Sequence, residues 1–419
     1  MDDQKLAPTL LAKMQEVSAQ GLEAATTIPV IIRYRPDVMR SQAVAEGIEA
    51  SFVYQLTPTV AASASGPAIG TLTDNDTIEY IWLDEEVHIC MDRSTVQIGV
   101  PAVWTAGYRG TGVKVAIVDT GLDAAHPDFA GRIVAGDSFV GGDFQDDNGH
   151  GTHVAGTAVG TGAAQGGKYC GVAPEASIYV AKVLDRNGSG SMSGVMAGVE
   201  WAAEQGVDVI NLSLGGSGSS DGQDALSLTC NAAVEQGITV CVAAGNAGPS
   251  SRTIGSPGAA SDVITVGAVD RSDGIARFSS RGPTADGRVK PDVCLPGTDI
   301  VSALAAGTGA GQPVDDRYTQ MSGTSMATPH AAGLAALLLQ AKPELSPAEI
   351  KQVIMETALD LGQDANAQGA GRARAEDALN RVLGTAPAPE PTPPGEEPPT
   401  PPSNNEGCLP TFLVPLIGR

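Results

Sequence analysis

"VKVAIVDTG", residues 113–121, is an almost unbroken apolar run that stops at a carboxylate, Asp119. A short run this rich in valine and isoleucine reads as a strand buried on both faces. Four more runs share its texture: "SIYVAKVLD" (177–185), "VDVINLSLGG" (207–216), "ITVCVAAGN" (238–246) and "VITVGAV" (263–269). Helical patterns such as "GVMAGVEWAAEQG" (194–206) lie between them. Continuous apolar strands alternating with helices predict an α/β fold, a parallel sheet flanked by helices on both faces.

Composition narrows the function. The chain has 419 residues, 42% hydrophobic, with 52 Gly, 4% aromatics and a formal charge of −23. Glycine at this level without a G-X-Y period implies tight turns and close backbone approaches rather than a collagen. The negative charge argues against nucleic acid or an anionic membrane as partner. Six cysteines (Cys90, Cys170, Cys230, Cys241, Cys294, Cys408) show no CxxC pairing, so neither a zinc site nor a disulfide framework is expected. Cys241 and Cys294 sit in apolar runs and read as small buried hydrophobes. No signal peptide and no membrane span are read from the chain. Unpaired cysteines suit the cytoplasm, export suits a zymogen, and the compartment stays open between them.

Four zones follow. Residues 1–27 carry a short amphipathic pattern (Leu6, Leu10, Met14, Val17) expected to be helical. Residues 28–92 read as a small α+β unit: strand "IPVIIRY", helix "VMRSQAVAEGIEA" (38–50), strand "SFVYQLT", helix "GPAIGTLTDND", strand "IEYIWLDEEVHI" (78–89). Residues 93–384 hold the α/β pattern. Residues 385–419 begin as a Pro/Glu-rich linker and end in "GCLPTFLVPLIGR", whose role the sequence leaves open.

In open parallel sheets, sites form beyond the carboxyl ends of the strands. Asp119 stands at such an end, and Asn246 at another. His150 opens a helical run between Gly149 and Gly151. Ser325 heads the helix within "MSGTSMATPHAAG" (321–333), where Pro329 sits a turn inside. Singly these residues have ordinary readings: a turn residue, a turn former, a helix cap. His150 and His153 could even be a metal pair, though no third ligand or HExxH accompanies them. Together they fit one mechanism. A serine needs a base, the histidine needs a carboxylate to fix its tautomer, and a tetrahedral oxyanion needs donors such as an Asn amide and a backbone N–H.

"VAIVDTGLD" (115–123), "NGHGTHVAG" (148–156), "AAGN" (243–246) and "SGTSMATPH" (322–330) resemble the four signature segments of the subtilisin-like serine proteases. The resemblance covers roughly residues 100–384. It implies a serine endopeptidase working through an acyl-enzyme, with Asp119, His150 and Ser325 as triad and Asn246 as oxyanion donor. It implies that Ser213, Leu214, Gly215, Ala243, Ala244 and Gly245 line the S1 pocket. "GSGSMSG" (188–194), with Gly188 and Gly190, would pair substrate as an added strand. Residues 28–92 then look like an inhibitory propeptide, the chain's own intramolecular inhibitor, with a first cut near Ile89 to Thr95. Protein or peptide substrates and a monomer are expected, and no cofactor is required for the chemistry.

Structural calcium is a separate expectation. Asp128 in "HPDF" matches a family ligand, but the family's calcium loop here reads "GTGAAQGGKYCG" (160–171), without a carboxylate. Asp143, Asp146 and Asp147 read as a solvated acidic turn, with a different calcium loop as the alternative. His88, His126, His153 and His330 read as structural. Small walls at 213–216 and 243–245 predict an open, apolar S1 pocket and broad cleavage after large apolar residues; Asp221 and Asp224 are the acidic residues that would instead favour a basic one. Two alternatives stand. A dinucleotide module at "SIYVAKVLDRNGSGSMSG" has glycine spacing one residue too long. A catalytically inactive peptide-binding relative would contain the same four residues without using them.

Overall fold

The structure is a computed structural model describing residues 2–19, 21–22, 26–35, 49–54, 57–84, 94–216 and 218–385. It divides into two compact units, Met1–Ile89 and Cys90–Arg419.

The first unit contains α1 (Pro8–Ala19), β1 (Thr27–Tyr34), β2 (Glu49–Val53), β3 (Thr59–Ser65), α2 (Gly66–Thr73) and β4 (Ile78–Leu83). Its antiparallel sheet has the order β2-β3-β1-β4. Alternate residues of β1 (Ile28, Val30, Ile32, Tyr34) enter a core completed by Leu10 and Val17 of α1 and Ile69 and Leu72 of α2. Two features differ from expectation. "TVAASAS" forms β3, a strand its small side chains do not announce; pairing on both edges supplies what propensity lacks. Residues 1–27 are not a separate zone, because Leu6 bridges to Ile81 and the Ala7 N–H donates to the Ile81 carbonyl at 3.0 Å. The helix expected over 38–50 lies outside the described residues except for Glu49 and Ala50, which open β2. Residues 85–93, with His88 and most of the expected processing segment, and 386–419 also lie outside them.

The second unit contains α3 (Ser94–Gln97), α4 (Val100–Thr105), β5 (Lys114–Asp119), β6 (Ile133–Ser138), α5 (His150–Val159), β7 (Ser177–Lys182), α6 (Met192–Glu204), β8 (Val209–Leu212), α7 (Ala225–Glu235), β9 (Thr239–Ala243) and β10 (Ile264–Val269). Then follow β11 (Val293–Pro296), β12 (Ile300–Ala303), β13 (Gln312–Pro313), β14 (Tyr318–Met321), α8 (Thr324–Ala341), α9 (Pro347–Glu356), α10 (Ala365–Gln368) and α11 (Ala375–Leu383). Seven strands form one sheet in the order β11-β10-β9-β8-β5-β7-β6, every pair parallel. All five apolar runs are strands of it. Val115 and Ile117 of β5 face a core shared with α5 and α8, while Ala116 and Val118 face one shared with α6 and α7. That double burial is why the run has no polar alternation.

After β5 the chain jumps to the sheet edge as β6, returns beside β5 as β7, then crosses to the opposite side of β5 as β8. The strand order therefore reverses at β5, and a crevice opens beyond its carboxyl end, where Asp119 stands. α8 is buried almost all round from Thr324 to Leu338, with Ser325 the partly exposed residue in that stretch. A small antiparallel sheet, β12-β14-β13, leads into it.

Candidate active site

Asp119 is fully buried, and its Oδ1 accepts the Thr120 N–H at 2.7 Å and faces His150 Nδ1 at 2.7 Å. Oδ2 has no partner. The carboxylate thus acts on the imidazole and on little else. His150 heads α5 between two glycines that steric contact requires. Gly149 has φ +107°, and a Cβ there would meet Thr308 Oγ1 at 2.6 Å; a Cβ on Gly151 would meet the Gly121 carbonyl at 2.3 Å. The ring is 24% exposed. Burial alone would lower its pKa, but the charge and hydrogen bond of Asp119, with the charge of Asp146, outweigh it. The imidazole stands above its ordinary 6.5.

Asp146 corrects the reading of a solvated acidic turn. It is 2% exposed, and its Oδ1 accepts from Thr120 Oγ1 (2.9 Å) and the N–H groups of Asn148 (3.0 Å) and Gly149 (2.8 Å). Its Oδ2 accepts from the Thr152 N–H (2.9 Å) and hydroxyl (2.7 Å). One carboxylate therefore ties the first turn of α5, with His150 on it, to the residue after Asp119. Lys182, opposite Asp119 across the β5–β7 register, donates to the Thr120 carbonyl at 2.5 Å and to Asp147 at 2.7 Å. Asp143 and Asp147 are exposed, as expected of a surface turn. No spacing rule flags the bond between Asp146 and Thr120, because the two are distant in sequence.

Ser325 sits on the first turn of α8, with Pro329 inside the helix. Proline has no N–H for the Ser325 carbonyl, and an unsatisfied buried carbonyl costs about 1–3 kcal/mol. Ser213 Oγ fills the gap, donating to that carbonyl at 2.8 Å, and is itself held by Asn211 Nδ2 at 3.0 Å. The Ser325 hydroxyl donates to the Ser213 carbonyl at 3.0 Å rather than to His150.

Asn246 follows β9. Its Oδ1 accepts from the Thr324 N–H (2.9 Å) and hydroxyl (3.0 Å), which fixes the amide so that Nδ2 is the remaining donor. A Cβ on Gly323 would come within 3.4 Å of that Nδ2. The Met326 N–H bonds the Gly323 carbonyl at 3.0 Å. Among the described residues the Ser325 N–H, between these two, has no hydrogen-bond partner.

These groups line one groove of about 710 Å³. His150, Asn246 and Ser325 are on its walls, as are Ser213, Leu214, Gly215, Ala243, Ala244, Gly245, Gly188 and Gly190. Every substrate-binding residue expected from sequence lies there. Asp221 and Asp224 do not. Asp224 caps α7, accepting from the Ser227 N–H (3.0 Å) and the hydroxyls of Ser220 (2.8 Å), Ser227 (2.8 Å) and Ser256 (2.5 Å). The set provides a hydroxyl, a base held by a carboxylate, and two convergent N–H donors. Such a set can carry acyl transfer.

The other polar candidates are structural. Burial pushes His153 down to about 3 and His330 to about 4, and their rings bond the Ile300 and Met326 carbonyls. Buried His126 bonds the Arg317 carbonyl at 3.0 Å. Cys230, Cys241 and Cys294 are buried, and burial raises each thiol, Cys230 and Cys294 to about 12. Asp128 is 1% exposed, with the Tyr318 hydroxyl 2.9 Å from both its oxygens and the Ala164 N–H bonding Oδ1 at 3.1 Å. Among the described residues, no three His, Cys, Asp or Glu side chains group as a metal site, and no helix is long and apolar enough to cross a membrane.

The subtilase family profile matches residues 110–380. The chain is 40% identical over 335 residues to serine protease AprX of Bacillus subtilis (strain 168), covering 74% of this chain and 76% of that one. It is 43% identical over 277 residues to subtilisin DY of Bacillus licheniformis, covering 64% and 93%. Among solved structures it resembles a cold-adapted subtilisin-like serine proteinase, with TM-score 0.52, 35% identity, and coverage of 64% of this chain and 88% of that one.

Proposed function

Because the chain belongs to the subtilase family and is a serine endopeptidase, we propose that it cleaves peptide bonds with Ser325 as nucleophile, His150 as general base and Asp119 as the carboxylate that orients it. The observation that carries this is the 2.7 Å contact between His150 Nδ1 and buried Asp119 in a groove shared with Ser325 and Asn246. Ser325 Oγ attacks the scissile carbonyl as His150 Nε2 takes its proton; Asp119 stabilises the resulting imidazolium. Asn246 Nδ2 and the Ser325 N–H receive the oxyanion. His150 then protonates the leaving amine, and water repeats the sequence to release the acid.

The S1 walls, Ser213–Gly215 and Ala243–Gly245, are small and uncharged, and Leu184, Met192, Val195 and Leu226 add apolar surface to the groove. They support broad cleavage after large apolar residues. The hydroxyl and backbone bonds around Asp224 support the same reading, since they leave that carboxylate engaged outside the groove. The first unit serves as an inhibitory propeptide removed by a cut near Ile89 to Thr95, and the enzyme acts as a monomer. The support is its compact fold and its position ahead of the protease unit.

The test is intact-mass spectrometry of the purified chain over time, beside Ser325→Ala and with a general protein substrate. Shedding of a fragment ending in 89–95, followed by digestion of the substrate, is expected of the wild type, and an intact chain of the variant. Equal processing in both would overturn the role of Ser325. Digestion without shedding would overturn the propeptide alone.

A further inference from the structure

A second cavity, of about 500 Å³, meets the main groove at the reacting centre. The two share His150, Asn246 and Ser325 and nothing else in their linings. The main groove holds the S1 walls. A peptide seated there with its carbonyl on Ser325 must continue into the second cavity with the residues that follow the scissile bond. This assignment rests on the proteolytic role of Ser325 above.

The two cavities differ in charge. His150 apart, no ionisable side chain lines the main groove among the described residues. The second cavity carries one carboxylate, Asp299, beside Gln320 and Met321. Asp299 is exposed and sits at φ +55°, a conformation aspartate and asparagine tolerate better than most residues. Its Oδ1 accepts from Gln320 Nε2 at 3.0 Å and from Ser322 Oγ at 3.4 Å, and its N–H bonds Ser322 Oγ at 2.9 Å. The carboxylate is therefore held in place, but by neutral groups. Arg271 donates to the Asp299 carbonyl at 3.3 Å, and among the described residues no cation forms an ion pair with the Asp299 carboxylate. A fixed, unneutralised carboxylate on the path of a peptide attracts an ammonium or guanidinium.

We propose that Asp299 is a specificity-determining residue that selects substrates with Lys or Arg shortly after the scissile bond. The net charge of −23 draws cationic peptides from every direction, so the position of the lysine is what identifies Asp299.

The experiment uses the full chain and internally quenched peptides with one fixed apolar residue before the cut. Lys, Gln or Glu is placed at each of the first three positions after it, and kcat/KM is compared within each enzyme. At the best position Lys should exceed Glu about tenfold, the scale of one exposed attraction gained and one repulsion avoided. The ratio should shrink as salt is raised. Asp299→Asn, which keeps the shape and the left-handed backbone, should reduce it to about twofold or less. Gln320→Lys, which sets an ammonium beside Asp299, should do the same without touching that backbone. The Lys/Glu ratio at positions before the cut should move in neither variant. Because each ratio is internal to one enzyme, loss of folded protein cannot mimic the result. Cleavage with no Lys/Glu difference, or a difference that survives both variants, overturns the role of Asp299 alone. Absence of any cleavage, or cleavage that persists in Ser325→Ala, overturns the proteolytic reading of Ser325 and this assignment with it.

Discussion

Asp119 and Asp128 lie on the same stretch after β5's core, both essentially without solvent exposure, and they are held in opposite ways. Asp128 is closed off: Tyr318 covers both oxygens and the Ala164 N–H adds a third contact. Asp119 is left open, with one oxygen bonded to a half-buried imidazole and the main chain and the other oxygen unpartnered. A buried charge without full satisfaction is costly. At Asp128 the fold removes the cost, and at Asp119 it retains it where an adjacent histidine can become charged. In the proposed mechanism, stability belongs to the first carboxylate and chemistry to the second.

Substitutions separate the two most sharply at Asp119. Asp119→Asn should lower kcat by about 10⁴-fold, since the amide no longer holds the productive tautomer. The pH profile should move with it. His150 acts as a base only when neutral, and its pKa stands above 6.5, so kcat/KM should rise with pH through a midpoint above that value. Without the Asp119 charge, burial dominates and the midpoint should fall. By linkage, protonated His150 stabilises the wild-type fold at low pH, and this contribution is lost as pH rises through the folded-state pKa.

Asn246→Ala comes next, with a loss of about 10²–10³ in kcat and little change in KM, because its donor is needed by the oxyanion more than by the bound substrate. Asp146→Asn should be milder. It weakens charge-assisted bonds that hold the start of α5, a loss of about 2 kcal/mol, measurable as earlier thermal unfolding in a Ser325→Ala background. In the active chain it should also shift the His150 midpoint downward, which a purely structural role would not do. Tyr318→Phe is the opposite control. It strips Asp128 of its hydroxyl donor and should destabilise by about 1–3 kcal/mol while leaving kcat/KM near wild type. A large kinetic loss there would break the contrast.

The legibility of the chain follows the same division. β5, β7, β8, β9 and β10 could be read from their apolar runs because burial on both faces leaves a local signature. β6 ("IVAGDS") and β11 ("VCLP") could not: one is a half-exposed edge strand and the other four residues ending in proline. β3 of the first unit escaped because its side chains are small. At the site, Asp119, His150, Asn246 and Ser325 were readable because each stands at the end of an element, beside glycines or a misplaced proline. The Asp146–Thr120 bond and the Tyr318–Asp128 pair were not, because these partners are brought close only by the fold. Even the defect at Pro329 was half legible. The missing N–H shows in the sequence, whereas the Ser213 hydroxyl that compensates for it comes from β8's far end.

The proposed mechanism requires that His150, held by Asp119, activate Ser325. The most direct measurement is covalent labelling with a fluorophosphonate, followed by peptide mapping, in the wild type and in His150→Ala. A single adduct on Ser325 is expected, formed at a rate that rises with the neutral fraction of His150 and falls by orders of magnitude in the variant. An adduct on another residue, or equal labelling of Ser325 without His150, would contradict it.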